Sequence, residues 1–545
     1  MKKRIVLLVA IAAIVILLVL VALPFLIDVN RFRPELESKA SLALNRQVKL
    51  GHLSLSIFAG QVVASDIEVA DDPAFSKANF ITAESLKIGV ELKPLIFSRQ
   101  LSITEIVLES PQIALIDGGN GTWNFSSLVG ASGNNLDLSK AQRQTVSIGK
   151  FKVNHGRLTL KKRDSSGEPA VYDDVTISVT NFSTASAFPF ELGTSLPGGG
   201  SATFSGTAGP ISTVNAARTP LTGTLKANNV NIAAYGLSGP AGGISGTVNL
   251  DETLQSDGTQ ATLTGTVSCS GLKLSPKGPP APRVISVKHN VEVNLATRAV
   301  LIQRADIAIG KAVVHATGTF NHERSKGTVD IQLNGANLSL DELQTMFPTL
   351  DVKLPSNSRL QGGEAFVSLR IKGSPDAAAI SGNVRADNFT LVGFNLGSQL
   401  GTFMGLAGKT ISSPDTSFRS FSAHVQMTKA GIQVDNLETD IPSVGGATGA
   451  GTISPSGDVE IAMMSTPYGG VAGGLTKMAT AGGQKSGQVP ILLSGTIDKP
   501  VYTTDTKAAT RVMTAQAAKG VASKIGGIFK KKPKQTEKLP VAPQS

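Results

Sequence analysis

Apolar and polar side chains alternate with a period of two in many stretches of this chain, and this alternation is the sequence feature that most constrains its fold. In residues 86–92, Leu86, Ile88 and Val90 alternate with charged or small residues, and residues 287–295 follow the same pattern. Because successive side chains of a β-strand point to opposite faces, the pattern predicts strands that are apolar on one face only. Further stretches of this kind are 103–108, 171–179, 367–371 and 459–463.

A Gly-Thr dipeptide followed by an apolar residue recurs within these strands. It begins at Gly223, Gly246, Gly265, Gly318, Gly451 and Gly495, and the first three are 23 and 19 residues apart. This interval fits one up-and-down strand pair, so we predict a β-meander that grows hairpin by hairpin. The 57 Gly and 27 Pro residues and the aromatic content of 5% also favour many short strands joined by turns. We predict loops at 193–201, as a linker or long turn, and at 466–488.

Residues 5–27 contain no charged and no strongly polar side chain. A helix of this length rises about 34 Å, which matches the hydrocarbon core of a bilayer, so we predict a transmembrane anchor at 5–27. Basic residues precede the run and mixed charges follow it, which places residues 1–4 in the cytoplasm and the body outside it. A cleaved signal peptide is the alternative, but its apolar region is usually about 7–15 residues long and ends in a small-x-small site.

The residues directly after the predicted anchor have a different period. Pro34 is suited to the first turn of a helix, and Phe32, Leu36, Ala40 and Ala43 follow at helical spacing. We therefore predict one short helix between the anchor and the strands.

The formal net charge of +11 lies mainly at the two ends of the chain. Residues 1–4 carry +3 and residues 511–545 carry +7, so the body between them carries only +1. A nucleic-acid-binding protein would combine a basic stripe with stacking aromatic side chains, and this body has neither. We therefore predict no nucleic-acid partner.

Motifs that would indicate catalysis or a cofactor are absent from the sequence. The six His residues are not spaced as metal ligands, and the single Cys269 excludes both a disulfide scaffold and a thiolate cluster. Gly408-Lys409-Thr410 resembles the end of a phosphate-binding loop, but Phe403 occupies the position of its first glycine. We therefore predict a protein that is not an enzyme, with no catalytic residue, no metal site and no cofactor.

The tail, 506–545, changes composition again. It is free of Pro until Pro533, and residues 519–532 combine apolar positions on one helical face with basic residues. We predict a basic amphipathic helix that contacts an anionic membrane, followed by disordered sequence; a tail that is disordered throughout is the alternative. The candidate membrane-contact residues are Val521, Ile525, Ile528, Phe529, Lys530, Lys531 and Lys532.

Four features of the first part of the chain occur together. They are the single N-terminal span, the strand ending at Lys93-Pro94-Leu95-Ile96, the strand from Ile103 to Ile113, and Trp123-Asn124 after Gly121. Together they resemble the AsmA family of bacterial envelope proteins. The stretch from 396 to 505, which includes Pro500, is also similar to that family. The resemblance divides the chain into modules at 28–150 and 396–505 with a central β-repeat at 151–395.

The resemblance implies a mainly β fold in which an inner-membrane anchor is followed by an elongated, curled antiparallel sheet with an apolar groove. It implies a periplasmic body, phospholipid as the ligand, and a role in phospholipid transport to the outer membrane or in outer-membrane assembly. The outer membrane and envelope-assembly proteins are then further partners. A scaffold for outer-membrane protein assembly, acting through exposed sheet edges, is the alternative function.

The alternating stretches supply the candidate residues for such a groove. An apolar sheet face must be covered, and a second sheet, an opposite barrel wall or lipid chains can each cover it. Alternation alone leaves these three possibilities open. About 30 strands spaced 4.8 Å apart would form a sheet about 150 Å long, which sets the reach expected of an open groove. The candidate groove residues are Leu86, Ile88, Val90, Val287, Val291, Val293 and Leu295.

Overall fold

The computed structural model describes residues 29–56, 60–91, 103–119, 122–127, 147–163, 167–212, 218–235, 243–274, 278–321, 327–374, 377–396, 414–468 and 488–503. The predicted anchor at 5–27, Pro94 and the predicted tail helix, with Val521, Ile525, Ile528, Phe529 and Lys530 to Lys532, lie outside the described residues. No helix within the described ranges is both long and apolar enough to cross a membrane.

The chain divides into two compact units, Met1–Asp306 and Ile307–Ser545, here called unit 1 and unit 2. The described part of unit 1 has a 3-10 helix at Val29–Phe32, helix α1 at Arg33–Leu44 and a 3-10 helix at Ile232–Tyr235. Its strands are β1 (Val48–Lys49), β2 (Leu53–Ser56), β3 (Gln61–Ala70), β4 (Asn79–Val90), β5 (Ile103–Glu109), β6 (Gln112–Gly119), β7 (Thr122–Trp123), β8 (Ser147–Lys162), β9 (Ala170–Ser183), β10 (Phe188–Ser195), β11 (Ser201–Ala208), β12 (Leu221–Asn231), β13 (Ser245–Ser256), β14 (Gln260–Lys273) and β15 (Ile285–Asn294).

Strand β16 (Val300–Ile309) contains the division between the units. The described part of unit 2 has helix α2 at Leu340–Leu343 and a 3-10 helix at Gln344–Met346. Its strands are β17 (Ala312–Asn321), β18 (Thr328–Ser339), β19 (Arg359–Gln361), β20 (Glu364–Gly373), β21 (Ala379–Val392), β22 (Thr416–Thr428), β23 (Gly431–Ile441), β24 (Gly445–Ile453), β25 (Val459–Pro467), β26 (Val489–Gly495) and β27 (Pro500–Thr503). The mainly β fold predicted from alternation is therefore confirmed.

From β8 to β15, each strand of unit 1 pairs with the next in antiparallel register. The predicted meander is confirmed here. The 193–201 stretch is a hairpin turn and not a linker, because its first residues complete β10 and the Leu196 N–H donates to the Gly200 carbonyl at 3.0 Å. Gly198, Gly199 and Gly200 all have positive φ, which glycine adopts without steric strain.

Strand β8 departs from the predicted meander on the side that does not pair with β9. This strand runs parallel to both β5 and β6, which follow each other along one line with a break at Ser110-Pro111. A parallel neighbour requires a long connection, and residues 120–146 supply it. Alternation reports which face a side chain occupies and carries no information about strand direction, so the sequence did not reveal this crossover.

The short helix predicted after the anchor is present as α1, with Pro34 in its first turn and Asn45 in the left-handed conformation after its end. Its apolar positions Phe32 and Leu36 remain 54% and 44% exposed. The helix docks through Ala40, which packs against buried apolar residues of the neighbouring strands. It also docks through side-chain hydrogen bonds, because Glu37 accepts from the Leu50 N–H at 2.8 Å and Ser41 accepts from the Val48 N–H at 2.9 Å.

Buried apolar clusters occur at the start of unit 1 and in unit 2. The first consists of Val48, Ile67, Val69, Phe80 and Ala83. In unit 2, residues 340–361 lie between β18 and β20 and contribute Leu340 and Leu360 to a large buried cluster. The last three of them form β19, which pairs with β21. We call residues 340–361 the covering segment.

Bulges in three strands share one residue type. Asn229, Asn337 and Asn436 have φ values of 55°, 52° and 50°, and each lies where the pairing register shifts. Asn tolerates the left-handed region better than most residues, and a bulge re-aims the side chain that follows it. At Asn337 and Asn436 the next residue, Leu338 or Leu437, is buried.

Candidate functional site

One face of strands β8–β15 in unit 1 is almost continuously apolar, and we call this face the floor. The cross-strand register places Val153 opposite Ile177, Ile177 opposite Leu192, and Leu192 opposite Phe204. The same face carries aliphatic and aromatic residues on every strand of the set. They are Phe151, Val153, Ile177, Val179, Phe190, Leu192, Phe204, Leu225, Leu250, Leu254, Leu263, Val267, Val287, Val291 and Val293.

The floor residues are half-buried with the exception of Val153, which is buried. The buried apolar clusters of the described residues draw their members from residues 48–83 and from residue 312 onward, so none lies on the floor. Period-two alternation in β8–β15 has therefore produced an apolar face whose large side chains are still partly accessible to solvent.

A concavity of about 280 Å³ lies on the floor across β8 to β12. Its lining includes Leu158, Ile177, Leu192, Phe204 and Leu225, and its polar contribution comes from Thr and Tyr side chains without any charged residue. The rings of Phe190 and Phe204 meet edge to face at 5.1 Å beside it. This lining suits a hydrocarbon chain.

Glycine leaves room for an aromatic ring on the floor. A Cβ on Gly223 would lie 2.7 Å from the Ser205 carbonyl oxygen and 2.9 Å from the Phe204 ring. This position therefore requires a residue without a side chain, which gives the Gly-Thr dipeptide at 223 a physical role that the repeat alone did not reveal.

A second concavity, of about 690 Å³, lies in unit 2 among the ends of β22–β26. Gln426, Asp458 and Glu460 are among its lining residues. Although this concavity is larger, its charged and amide side chains make it unsuitable for a purely apolar ligand.

The predicted groove residues fall in two places. Val287, Val291 and Val293 lie on the floor, on β15, but that strand ends at Asn294. Leu295 therefore lies one residue beyond the strand, in the hairpin turn, where it is 41% exposed. The predicted strand was one residue too long, because the Asn294 side chain accepts two backbone N–H bonds and begins the turn.

The other three candidates lie on β4, which precedes the floor strands in the sequence. Leu86 and Ile88 pair across the sheet with Leu108 and Ile106, and Leu86 packs against the first buried cluster. Val90 is the last residue of β4, next to a shift in register. Part of this predicted set is therefore covered by the chain itself.

Two polar residues interrupt the floor. Sequence analysis placed His289 on the predicted lipid-bearing face only as one position of the 287–295 stretch, and it did not identify Glu252. Glu252 lies opposite Leu225 on the neighbouring strand, and His289 lies between Val287 and Val291 on β15. The His289 Nε2 and Glu252 Oε1 atoms are 3.0 Å apart, and their side chains are 15% and 7% exposed. A histidine within an otherwise aliphatic stripe was the available signal, but its partner two strands away could be identified only from the register.

Asn124, which the family resemblance brought to attention, is fully buried at the edge of β6. Its Oδ1 accepts from the Ile116 N–H at 3.0 Å, and its Nδ2 donates to the Ala114 carbonyl at 2.8 Å and to both carboxylate oxygens of Asp71 at 3.1 and 3.0 Å. The side-chain amide thus replaces a neighbouring strand, and its role is structural.

Arg46, Asp72 and Ser127 extend this network. Arg46 donates to the Asn124 carbonyl at 3.2 Å and to Ser127, and the Ser127 hydroxyl donates to Asp72 at 2.7 Å. The Ser127 hydroxyl, the Ala74 N–H and the Arg46 guanidinium lower the pKa of Asp72. We call Arg46, Asp71, Asp72, Asn124 and Ser127 the Asn124 network.

The sequence model of the AsmA family matches residues 1–292. This match covers more than half of the chain, and the chain therefore belongs to the AsmA family. The family prediction is thus confirmed, and the match reaches beyond the N-terminal module to include the floor as far as β15. No curated protein and no solved structure matches the chain.

Proposed function

We propose that this AsmA-family protein binds lipid acyl chains on the floor of unit 1 and supports phospholipid transport to the outer membrane or outer-membrane assembly. The observation that carries the proposal is the half-buried apolar floor, whose side chains belong to none of the buried clusters of the described residues. Burial of an acyl chain is worth about 0.8 kcal/mol per CH₂ group. This attraction has no directional bonds, so a bound chain can also slide along the floor.

We further propose that the protein is a single-pass protein of the inner membrane with a periplasmic body and no enzymatic activity. In this arrangement the strands continue as an elongated groove directed toward the outer membrane. The apolar run at 5–27 and the family membership support this topology. The full-length protein should stay in the membrane pellet after carbonate extraction and should be digested by external protease in spheroplasts. Recovery of a soluble form beginning near residue 28 would contradict the anchor.

A photo-crosslinker at Val291 tests lipid binding directly. Val291 lies on the floor. The preceding residue, Asn290, is the matched control, because its side chain points to the other face and donates a hydrogen bond to Gln303 at 2.8 Å. In cells, the crosslinker at Val291 should capture phospholipid and the one at Asn290 should not. If Val291 captures only other parts of the same chain, the floor is a packed core and the proposal is wrong.

A further inference from the structure

We propose that Glu252 and His289 form a binding site for the primary ammonium group of a lipid headgroup. This inference rests on the proposed function, because it assumes that lipid occupies the floor. It adds a specificity that an aliphatic surface cannot provide, since dispersion and hydrophobic contacts do not distinguish one headgroup from another.

The location of the pair follows from the strand register. Gly265 on β14 lies opposite Glu252 on one side and opposite His289 on the other, so the two side chains meet above this glycine. A Cβ at position 265 would lie 2.4 Å from Glu252 Oε2. The carboxylate therefore lies directly against the floor, in a gap that only glycine leaves open.

Two polar atoms of the pair have no hydrogen-bond partner among the described residues. They are Glu252 Oε2 and His289 Nδ1, and both are buried. An unpaired buried polar atom typically costs about 1–3 kcal/mol, and more when the group is charged. The pair thus keeps two polar atoms without a partner beneath the surface of the floor, and an ammonium group that displaces the two side chains from the sheet would supply the missing hydrogen bonds.

The chemistry of the pair indicates which ligand fits. In a neutral ring with its Nε2 proton directed at Glu252, His289 Nδ1 is an acceptor, and the pair then offers two acceptors and the negative charge of a carboxylate. A primary ammonium is a cation with three N–H donors and matches both properties. A trimethylammonium group has the charge but no donor, and a phosphate or a fatty-acid carboxylate would bring a second negative charge.

The surroundings indicate that a lipid should carry this ammonium. The neighbouring floor positions are Leu225, Val287 and Val291, which offer contacts to hydrocarbon. A small soluble amine would gain nothing from them, whereas a lipid could place its chains along the floor while its headgroup reaches the pair.

The test uses full-length protein carrying the photo-crosslinker at Val291, two residues from His289. The protein is reconstituted with equal amounts of two phospholipids that share acyl chains and differ only in an ethanolamine or a choline headgroup, and the adducts are counted by mass spectrometry. We expect ethanolamine adducts to exceed choline adducts at least about fivefold, because a hydrogen bond to a charged group is usually worth more than a tenfold preference.

Two variants and one control site assign the preference to the pair. Glu252→Gln keeps the size of the side chain but removes its charge, and His289→Gln removes the ring; each should bring the ratio close to one while total adduct yield and the far-ultraviolet circular dichroism stay unchanged. Glu191→Gln, at an exposed carboxylate on β10, should keep the preference. A crosslinker at Leu192, about 24 Å away across five strand spacings, should show no preference.

Each other outcome overturns the inference in a distinguishable way. Equal ethanolamine and choline adducts at Val291 refute the ammonium site but leave lipid binding intact, as does a preference that survives in Glu252→Gln. Absence of any lipid adduct at both Val291 and Leu192 refutes the proposed function as well.

Discussion

Replacement of Asn124 by aspartate changes one NH₂ group to an oxygen at the centre of the Asn124 network. The new oxygen would lie about 3 Å from both carboxylate oxygens of Asp71 and 2.8 Å from the Ala114 carbonyl oxygen. The variant loses a hydrogen bond to a charged group, usually worth about 1.5–3 kcal/mol, and leaves a buried carbonyl unpaired at a further cost of about 1–3 kcal/mol. We therefore expect a loss of about 3–5 kcal/mol of unfolding free energy near pH 7.5.

The pH dependence of this loss tests its cause. Two carboxylates this close raise the pKa of the pair, so the folded variant binds a proton more readily than the unfolded chain. The unfolding free energy of such a protein falls as the pH rises. Asn124→Asp should therefore be closer to wild type at pH 5 than at pH 7.5, whereas a packing defect would be equally costly at both values.

Trp123 provides a local probe for this experiment, since it is the only tryptophan of the chain and stacks on Phe125 with ring centroids 5.8 Å apart. Urea unfolding followed by its fluorescence should shift to lower midpoint by about 1 M or more. Asn228→Asp, at an exposed position of β12, is the matched control and should stay within about 0.5 kcal/mol of wild type. An Asn124→Asp protein as stable as this control would refute the role assigned to the network.

Four further predictions concern other parts of the molecule. Burial raises the pKa of Tyr502 to about 12. In an ultraviolet titration of Tyr502→Phe, the tyrosine ionisation near pH 12 should therefore be absent. In the wild type, the unfolding free energy linked to Tyr502 should be lost as the pH rises from about 10 through 12. The pKa of Asp72 is lowered in the folded protein. Its contribution to the unfolding free energy is therefore complete above the pKa of the unfolded chain and disappears as the pH falls through the pKa of the folded protein. Asp72→Asn should make the unfolding reported by Trp123 fluorescence less sensitive to acid. Gly223→Val should displace the Phe204 ring, cost about 1–3 kcal/mol in urea unfolding and reduce lipid capture on the floor. A photo-crosslinker at Val367, which packs against the unit 2 cluster, should yield adducts within the chain and not lipid adducts.

The strands could be predicted because alternation is local. The stretches at 103–108, 171–179, 367–371 and 459–463 all lie inside observed strands, and each needs only its own side chains to define two faces. The bulges had an equally local signal, an Asn followed by a large apolar residue, as in Asn337-Leu338 and Asn436-Leu437. Sequence analysis missed it because a shift in register is expressed only against a partner strand.

The polar sites could not be predicted because their members are distant in sequence. Glu252 and His289 meet only after β14 has been inserted between their strands, and Asn124 meets Asp71 only when the segment after β6 folds back. The family resemblance indicated that Asn124 matters to the fold. The contacts add the reason, which is that its amide completes the hydrogen bonds of a strand edge.

The two units cover their apolar faces differently, and this difference bears on where lipid can bind. In unit 2 the covering segment places Phe347 and Leu354 against the buried cluster, so a lipid chain there would first have to displace these side chains. Exposure of one large apolar side chain costs about 1.5–3 kcal/mol, which offsets the burial of two or more CH₂ groups of the incoming lipid. On the floor of unit 1, the half-buried side chains already contact water, and a lipid chain gains its burial without displacing a buried cluster. Alternation is the same in both units, so the sequence pattern alone could not distinguish a covered face from an open one. The segment between β18 and β20 makes this distinction, so under the proposed function we expect the lipid contacts in unit 1.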